Sequence, residues 1–268
     1  MAISGIPIYL STLLLEKNRS NGKGPTLLVS DWTEPIAEAG FAGVEIWMNH
    51  LQLASRSEWE LIKERLQESD LGLAYVVSAV PADAHDKSQR LRDALLEACD
   101  YFRPDGLKFH LAEDAKAKGS ADEGLAFLKS WMRDLPRDIG LLCDAPPGAS
   151  GAAGLEKARQ IFGTERCKAV LHPFLMAPSE LEAAMDAFGD FIGNLGLQSQ
   201  DGGQWSHLSE TPGAAKILAA VRKRNYKGTW SLEFTKGAGQ PGENIDRLFD
   251  NAEKDLNFVL EALVGSPR

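Results

Sequence analysis

Six ionisable residues stand at or near the ends of short apolar runs: Glu45, Lys108, His110, Asp144, His172 and Glu233. Two carboxylates in different surroundings can divide into a general acid and a general base. With an imidazole beside them they also offer the donor types that hold Mn²⁺, Zn²⁺ or Fe²⁺. Their phase within each run decides where they point. In Thr229-Trp-Ser-Leu-Glu-Phe234 the large apolar residues Trp230, Leu232 and Phe234 alternate with Thr229, Ser231 and Glu233. Successive side chains of a β-strand face opposite ways, so a helix can cover the first set and the second faces the inside of a closed sheet. The same phase turns Lys108 and His110 inward, Glu45 and Trp47 with them, and likewise Leu142 and Asp144, Val170 and His172, and Asn194, Gly196 and Gln198. Charges inside a barrel are unfavourable unless paired, hydrated or bound to a metal. A salt-bridge plug, Lys108 with Glu45 for instance, accounts for one pair. Six converging groups point instead to a functional rim at the strand C-termini.

The elements that must place these groups are read from hydrophobic period and punctuation. Strands are predicted at 6–11, 43–47, 71–78, 106–111, 139–144, 167–172, 191–198 and 228–234. Helices are predicted at 33–39, 57–69, 87–103, 120–135, 151–163, 178–188, 212–225 and 243–263. Ser57 with Glu60, Ser120 with Glu123 and Ser179 with Glu182 read as capping boxes. Thr33 reads as an N-cap with Pro35 in the first turn. Gly40, Asp70, Gly163, Gly189 and Gly228 read as helix ends, and the glycine-rich 148–154 and 237–242 as loops. Eight β-α units in strict alternation give a parallel sheet, either closed into a barrel or open and doubly wound. An open dinucleotide-binding sheet should show Gly-x-Gly-x-x-Gly after its first strand, where Ser11-Thr-Leu-Leu-Leu15 stands. The expectation is an α/β protein, one (β/α)8 TIM barrel over 1–268, with no nucleotide cofactor.

Composition narrows the function. The chain has 268 residues, 44% hydrophobic and 25% charged, with a formal net charge of −9. An acidic balance argues against a phosphate-backbone binder, so no nucleic-acid partner is expected. Arg222, Lys223 and Arg224 read as compensation at a helix C-terminus. Cys99, Cys143 and Cys167 make no C-x-x-C pair, which excludes a zinc ribbon and a disulfide framework and fits a reducing compartment. The apolar stretch 6–15 has no Lys or Arg before it, so it is not read as a signal peptide, and no apolar window of about 18 residues predicts a membrane span. The expected place is the cytoplasm, with a homodimer among the assemblies left open. His50, His207 and His85 read as solvated loop residues.

Three segments carry a resemblance. Gly40-Phe-Ala-Gly-Val-Glu-Ile-Trp47, Leu141-Leu-Cys-Asp-Ala-Pro-Pro-Gly148 and Tyr226-Lys-Gly-Thr-Trp-Ser-Leu-Glu-Phe234 are similar, in order, to the second, fifth and eighth strands of the xylose isomerase-like TIM barrels, the sugar phosphate isomerase/epimerase superfamily. Asn225 stands where a glycine is usual. The resemblance implies one divalent metal held by Glu, Asp, His and Glu on strands five to eight. Those positions fall here on Asp144, His172, Gln198 and Glu233, so one of the four ligands is identical. Mn, Zn, Mg or Co would suit the set. The resemblance further implies that Asp144 and Glu233 act as opposed acid and base, with the metal polarising a carbonyl. Glu45, Trp47, Lys108, His110 and Trp205 are the expected contacts to a sugar-like substrate. Lys108 as a Schiff-base nucleophile is the aldolase-like variant. The expected function is a sugar isomerase or epimerase; the alternative is a non-catalytic barrel, a ligand-binding or partner subunit with a degenerate metal site. The repair-nuclease branch needs more His ligands than five histidines, mostly off the strand ends, can supply.

Overall fold

The computed structural model describes residues 6–19, 24–79, 86–110, 121–145 and 148–264. Eight parallel strands close on themselves: β1 (Ile8–Ser11), β2 (Gly43–Trp47), β3 (Gly72–Ala79), β4 (Gly106–His110), β5 (Gly140–Asp144), β6 (Cys167–Leu171), β7 (Ile192–Leu197) and, past a small hairpin of β8 (Ser199–Asp201) and β9 (Gln204–Ser206), β10 (Thr229–Leu232). Around the barrel they run in chain order, and β10 pairs with both β7 and β1. Closure leaves no sheet edge to protect. All eight predicted barrel strands are found, with ends that differ by a residue or two.

The predicted phase is the observed one. Leu10, Ile46, Val76, Phe109, Leu141, Leu195 and Trp230 face outward into the core beneath the helices. Inside, Tyr75, Val77, Leu142 and Val170 form a separate apolar plug with Tyr9 against it. Asn194, Thr229 and Ser231 make a polar layer, and the chemistry-bearing groups follow at the strand C-termini. Register aligns them: His110 lies opposite Asp144, and Ser11 opposite Glu45. One-residue shifts after Val44 and after Ala169 adjust the phase of neighbouring strands.

The helices are α1 (Thr12–Leu15), α2 (Thr33–Glu38), α3 (Met48–Gln52), α4 (Arg56–Glu68), α5 (Asp86–Phe102), α6 (Ala121–Trp131), α7 (Ala149–Phe162), α8 (Pro178–Phe188), α9 (Ala214–Lys223) and α10 (Ile245–Val264). Several predicted boundaries shift. The cap of α4 is Ser55, whose hydroxyl accepts from Glu58 N at 3.2 Å, so Ser57 lies inside the helix. In α8, Pro178 takes the first helical position and the Glu180 carboxylate accepts from Ala177 N, which displaces Ser179 as cap. Thr33 is already helical, following a 3-10 turn, and its hydroxyl donates to Ser30 O. The 148–154 stretch is mostly helix, with Gly148 at its N-cap. Gly228 does not end α9; Asn225 takes the left-handed conformation there, φ 53°, which Asn tolerates better than most residues. The Ser120 box and His85 lie outside the described residues. Among the described residues no helix is long and apolar enough to cross a membrane.

Candidate metal centre and active site

The strand ends bring Asp144, His172 and Glu233 together from β5, β6 and β10. One ligand atom from each lies within 4.8 Å of the others, and all three side chains are buried. His172 Nε2 is 2.6 Å from Asp144 Oδ1, and His172 Nδ1 is 3.7 Å from Glu233 Oε2. His110 Nδ1 meets the second oxygen of Asp144 at 2.5 Å, and the His110 side chain is 43% exposed. It therefore joins the buried carboxylate to the mouth. Gly196 makes this closeness possible: a Cβ there would lie 2.6 Å from His172 Cε1 and 3.0 Å from Glu233 Oε1.

Gln198 completes the group. Its Nε2 lies 2.8 Å from His172 Nδ1, and its Oε1 is buried with no hydrogen-bond partner among the described residues. A buried carbonyl oxygen without a partner is unfavourable unless a cation or donor reaches it. If His172 is protonated at Nδ1, the amide turned over would offer Oε1 to that N–H. The same side chain thus suits a proton on His172 or a metal ion beside it. Two carboxylates, an imidazole and an amide oxygen are a donor set that fits one divalent ion.

Below this mouth lies a second charged layer. The Lys108 ammonium contacts Glu233 Oε1, both oxygens of Glu45 at 3.2 and 3.3 Å, and Asn194 Oδ1 at 3.3 Å. Ser231 donates to Glu45, and Asn194 Nδ2 donates to Ser231 at 2.7 Å and to Thr229 at 2.9 Å. Tyr75 reaches Thr229 Oγ1 at 2.7 Å, tying the layer to the apolar plug. Lys108 and Glu45 are both 0% exposed. The expected Lys108–Glu45 pair exists, and Glu45, Lys108, Glu233, His172, Asp144 and His110 form one continuous chain of contacts.

Burial alone would raise the Asp144 carboxyl. The His172 imidazole beside it, with hydrogen bonds from His110 and His172, outweighs burial and holds it well below the usual range. Burial would lower the His172 imidazole, but the charges of Asp144 and Glu233 push it up to about 9. His110 is raised as well, its bond to Asp144 overcoming burial. Lys108 stays an ammonium because Glu233 and Glu45 outweigh its desolvation.

The other named residues make contacts of their own. Trp47 is half-buried, its backbone N–H donating to Thr12 Oγ1 at 3.0 Å and its ring edge-on to His50 at 5.4 Å. Trp205, on the hairpin, stacks on Phe234 at 4.3 Å and nearly parallel, and Arg19 lies over the Phe234 ring at 6.0 Å. His50 is not a solvated loop residue. It is buried on α3, between Thr12 Oγ1 at 2.8 Å and Glu16 Oε2 at 3.1 Å. His207 is likewise engaged, with Nδ1 3.2 Å from the buried Asp255. Sequence reading misses Asn194, Ser231 and the Thr12–His50–Glu16 relay as partners. Inward phase marks the first two as lumen residues, but their bonds depend on which strands become neighbours.

No family model matches the chain, and no curated protein matches it. Solved structures do match over nearly its whole length. A D-psicose 3-epimerase in the presence of D-fructose is 14% identical, covering 97% of this chain and 100% of that one, with a TM-score of 0.71. The probable 3-DHS dehydratase AsbF of Bacillus anthracis is 14% identical over 98% of this chain and 100% of that one, TM-score 0.68. A xylose isomerase-like TIM barrel protein from Mycobacterium smegmatis in complex with magnesium is 12% identical over 97% and 99%, TM-score 0.63. At such identities the likeness is one of fold.

Proposed function

We propose, from the premise that this chain folds as a xylose isomerase-like TIM barrel, that it is a metal-assisted isomerase or epimerase acting on a small polyhydroxylated carbonyl compound. The observation that carries the reading is the buried Asp144–His172–Glu233 group at the barrel mouth, with Gln198 Oε1 beside it lacking a hydrogen-bond partner among the described residues. A D-psicose 3-epimerase among the structures of like fold supports it by analogy. Asp144, His172, Gln198 and Glu233 would hold one divalent ion, Mn, Zn, Mg or Co. When bound, such an ion polarises a carbonyl or gathers adjacent hydroxyls.

The chain's own groups then divide the proton work. Glu233 removes the proton from the carbon beside the carbonyl. Asp144, kept ionised by its imidazole neighbours, serves the opposite face together with His110. His110 bonds Asp144 and reaches solvent, so it can carry the proton that returns to the substrate. Trp47, at the C-terminal end of β2, and Trp205, stacked on Phe234 next to Glu233 in the chain, would be the apolar walls for a sugar ring. Three buried cysteines without disulfides accord with a cytoplasmic place.

The test is deuterium wash-in. The protein is incubated with Mn²⁺, Co²⁺ or Mg²⁺ and a panel of ketohexoses in D₂O, and the proton beside the carbonyl is followed by NMR. Exchange is expected, and Glu233→Gln should slow it by roughly 10²–10⁴-fold. A protein that binds no ion and exchanges nothing sinks the reading. A second reading, a ligand-binding barrel without turnover, is favoured by one observation: Lys108 and His172 already set positive charge against the three carboxylates. Ion binding without any exchange would select it.

A further inference from the structure

Lys108 is among the largest fully buried side chains of the protein. Its ammonium has three N–H groups and three partners: Glu233, Glu45 and Asn194. None is left to meet a substrate, so neither direct binding nor Schiff-base attack is open to it in this arrangement. Its partners are themselves fixed. Glu45 accepts from Ser231, and Asn194 donates to Ser231 and Thr229. The one partner that also faces the mouth is Glu233.

We infer that Lys108 is a positioning residue that divides Glu233 between the barrel interior and the ion. The ammonium holds Oε1 at the floor. Oε2, 3.7 Å from His172 Nδ1, is left as the oxygen facing the His172 imidazole. Glu45 makes this workable. A lone ammonium beside Glu233 would cancel its charge and repel a divalent cation. With Glu45 on its other side the ammonium already has a counter-ion, so Glu233 keeps its negative charge for the ion. Buried partners that orient a ligand in this way govern how well a site holds its metal. The inference deepens the metal reading of the site and rests on it.

The test uses the full chain and Mn²⁺ or Co²⁺ alone. Lys108→Met removes the ammonium. The double variant Glu45→Gln/Lys108→Met removes one charge of each sign, so the net buried charge is unchanged and Glu233 keeps the His172 imidazole, 3.7 Å away, as its remaining cationic neighbour; it is the variant to measure where the single one does not fold. By titration calorimetry both should bind Mn²⁺ about 10–100-fold more weakly than wild type. The visible absorption of bound Co²⁺ should change, because the Glu233 oxygen that reaches it is no longer fixed. A folded double variant with wild-type Mn²⁺ affinity and an unchanged Co²⁺ spectrum overturns the inference while leaving the metal reading intact. Tighter Mn²⁺ binding overturns it too, since Lys108 would then be a competing cation. Wild-type protein that binds neither ion removes the metal reading and this inference together.

Discussion

Gly196 sets how closely His172 and Glu233 can approach, because any side chain at that point of β7 enters the space of the imidazole. His172 cannot move aside without leaving Asp144, and Glu233 cannot without leaving Lys108. Gly196→Ala should therefore destabilise the protein by about 1–3 kcal/mol, as overpacking does, and abolish Mn²⁺ binding. Denaturant unfolding and Mn²⁺ titration check both, and a variant that binds Mn²⁺ as wild type does would mean that His172 is not a ligand. Gln198→His asks the complementary question, since an imidazole is a stronger donor than an amide oxygen. Mn²⁺ affinity should rise if Gln198 faces the ion, and only stability should change if it serves His172 alone. Much of this centre is legible in the sequence. Alternation along each apolar run is enough to turn Glu45, Lys108, Asp144, His172 and Glu233 inward. Alternation does not disclose that Lys108 bridges Glu45 and Glu233, because that contact depends on strand stagger around a closed sheet.

Among the elements, the short helices after β1 and β2 are the least legible. α1 and α3 span four and five residues, too short for a helical period to show. They are held by tertiary contacts, chiefly Glu16. Its buried carboxylate accepts from Asn18 N at 2.7 Å, Thr26 N at 2.8 Å, the Thr26 hydroxyl at 3.0 Å and His50 Nε2 at 3.1 Å. Through His50 and Thr12 the relay reaches the backbone of Trp47, so it ties two rim segments together. Burial would raise the Glu16 carboxyl, but these bonds bring it down to about 2 from 4.5. A lowered folded value means that the contribution is full above 4.5 and is lost as pH falls toward 2. It amounts to roughly 3–4 kcal/mol at most. Glu16→Gln should flatten the acid side of the stability curve in that window and lower stability at neutral pH. Denaturant midpoints measured from pH 2 to 7 test this, and a variant whose acid profile matches wild type would show that Glu16 is not the group responsible. The β8–β9 hairpin escapes sequence reading for a similar reason: its three-residue strands are shorter than a β period can reveal.

At the scale of the whole molecule, closure is what makes a site from distant residues. Glu45 and Glu233 stand toward opposite ends of the chain, yet both touch Lys108 because β10 pairs with β1 and β1 with β2. The closed barrel is the most legible feature, since eight units in regular alternation leave few other ways to cover every apolar face. Closure also links ion binding to global stability. The donors come from β5, β6, β7 and β10 or the residues just after them, so unfolding the barrel disperses them and the ion favours the folded chain. Free ion at about 100 times its dissociation constant should add roughly 2.7 kcal/mol. For a domain of this size that corresponds to a rise of about 5–10 °C in melting temperature. Mn²⁺ added to chelator-treated wild type should produce this rise, saturating with concentration. Asp144→Ala removes one donor and also the partner of both His110 and His172. That variant should start from a lower melting temperature and show no Mn²⁺-dependent rise. Should wild type and Asp144→Ala respond alike to Mn²⁺, the ion would be binding elsewhere on an acidic surface, and the buried group would have to be read as a network of ion pairs alone.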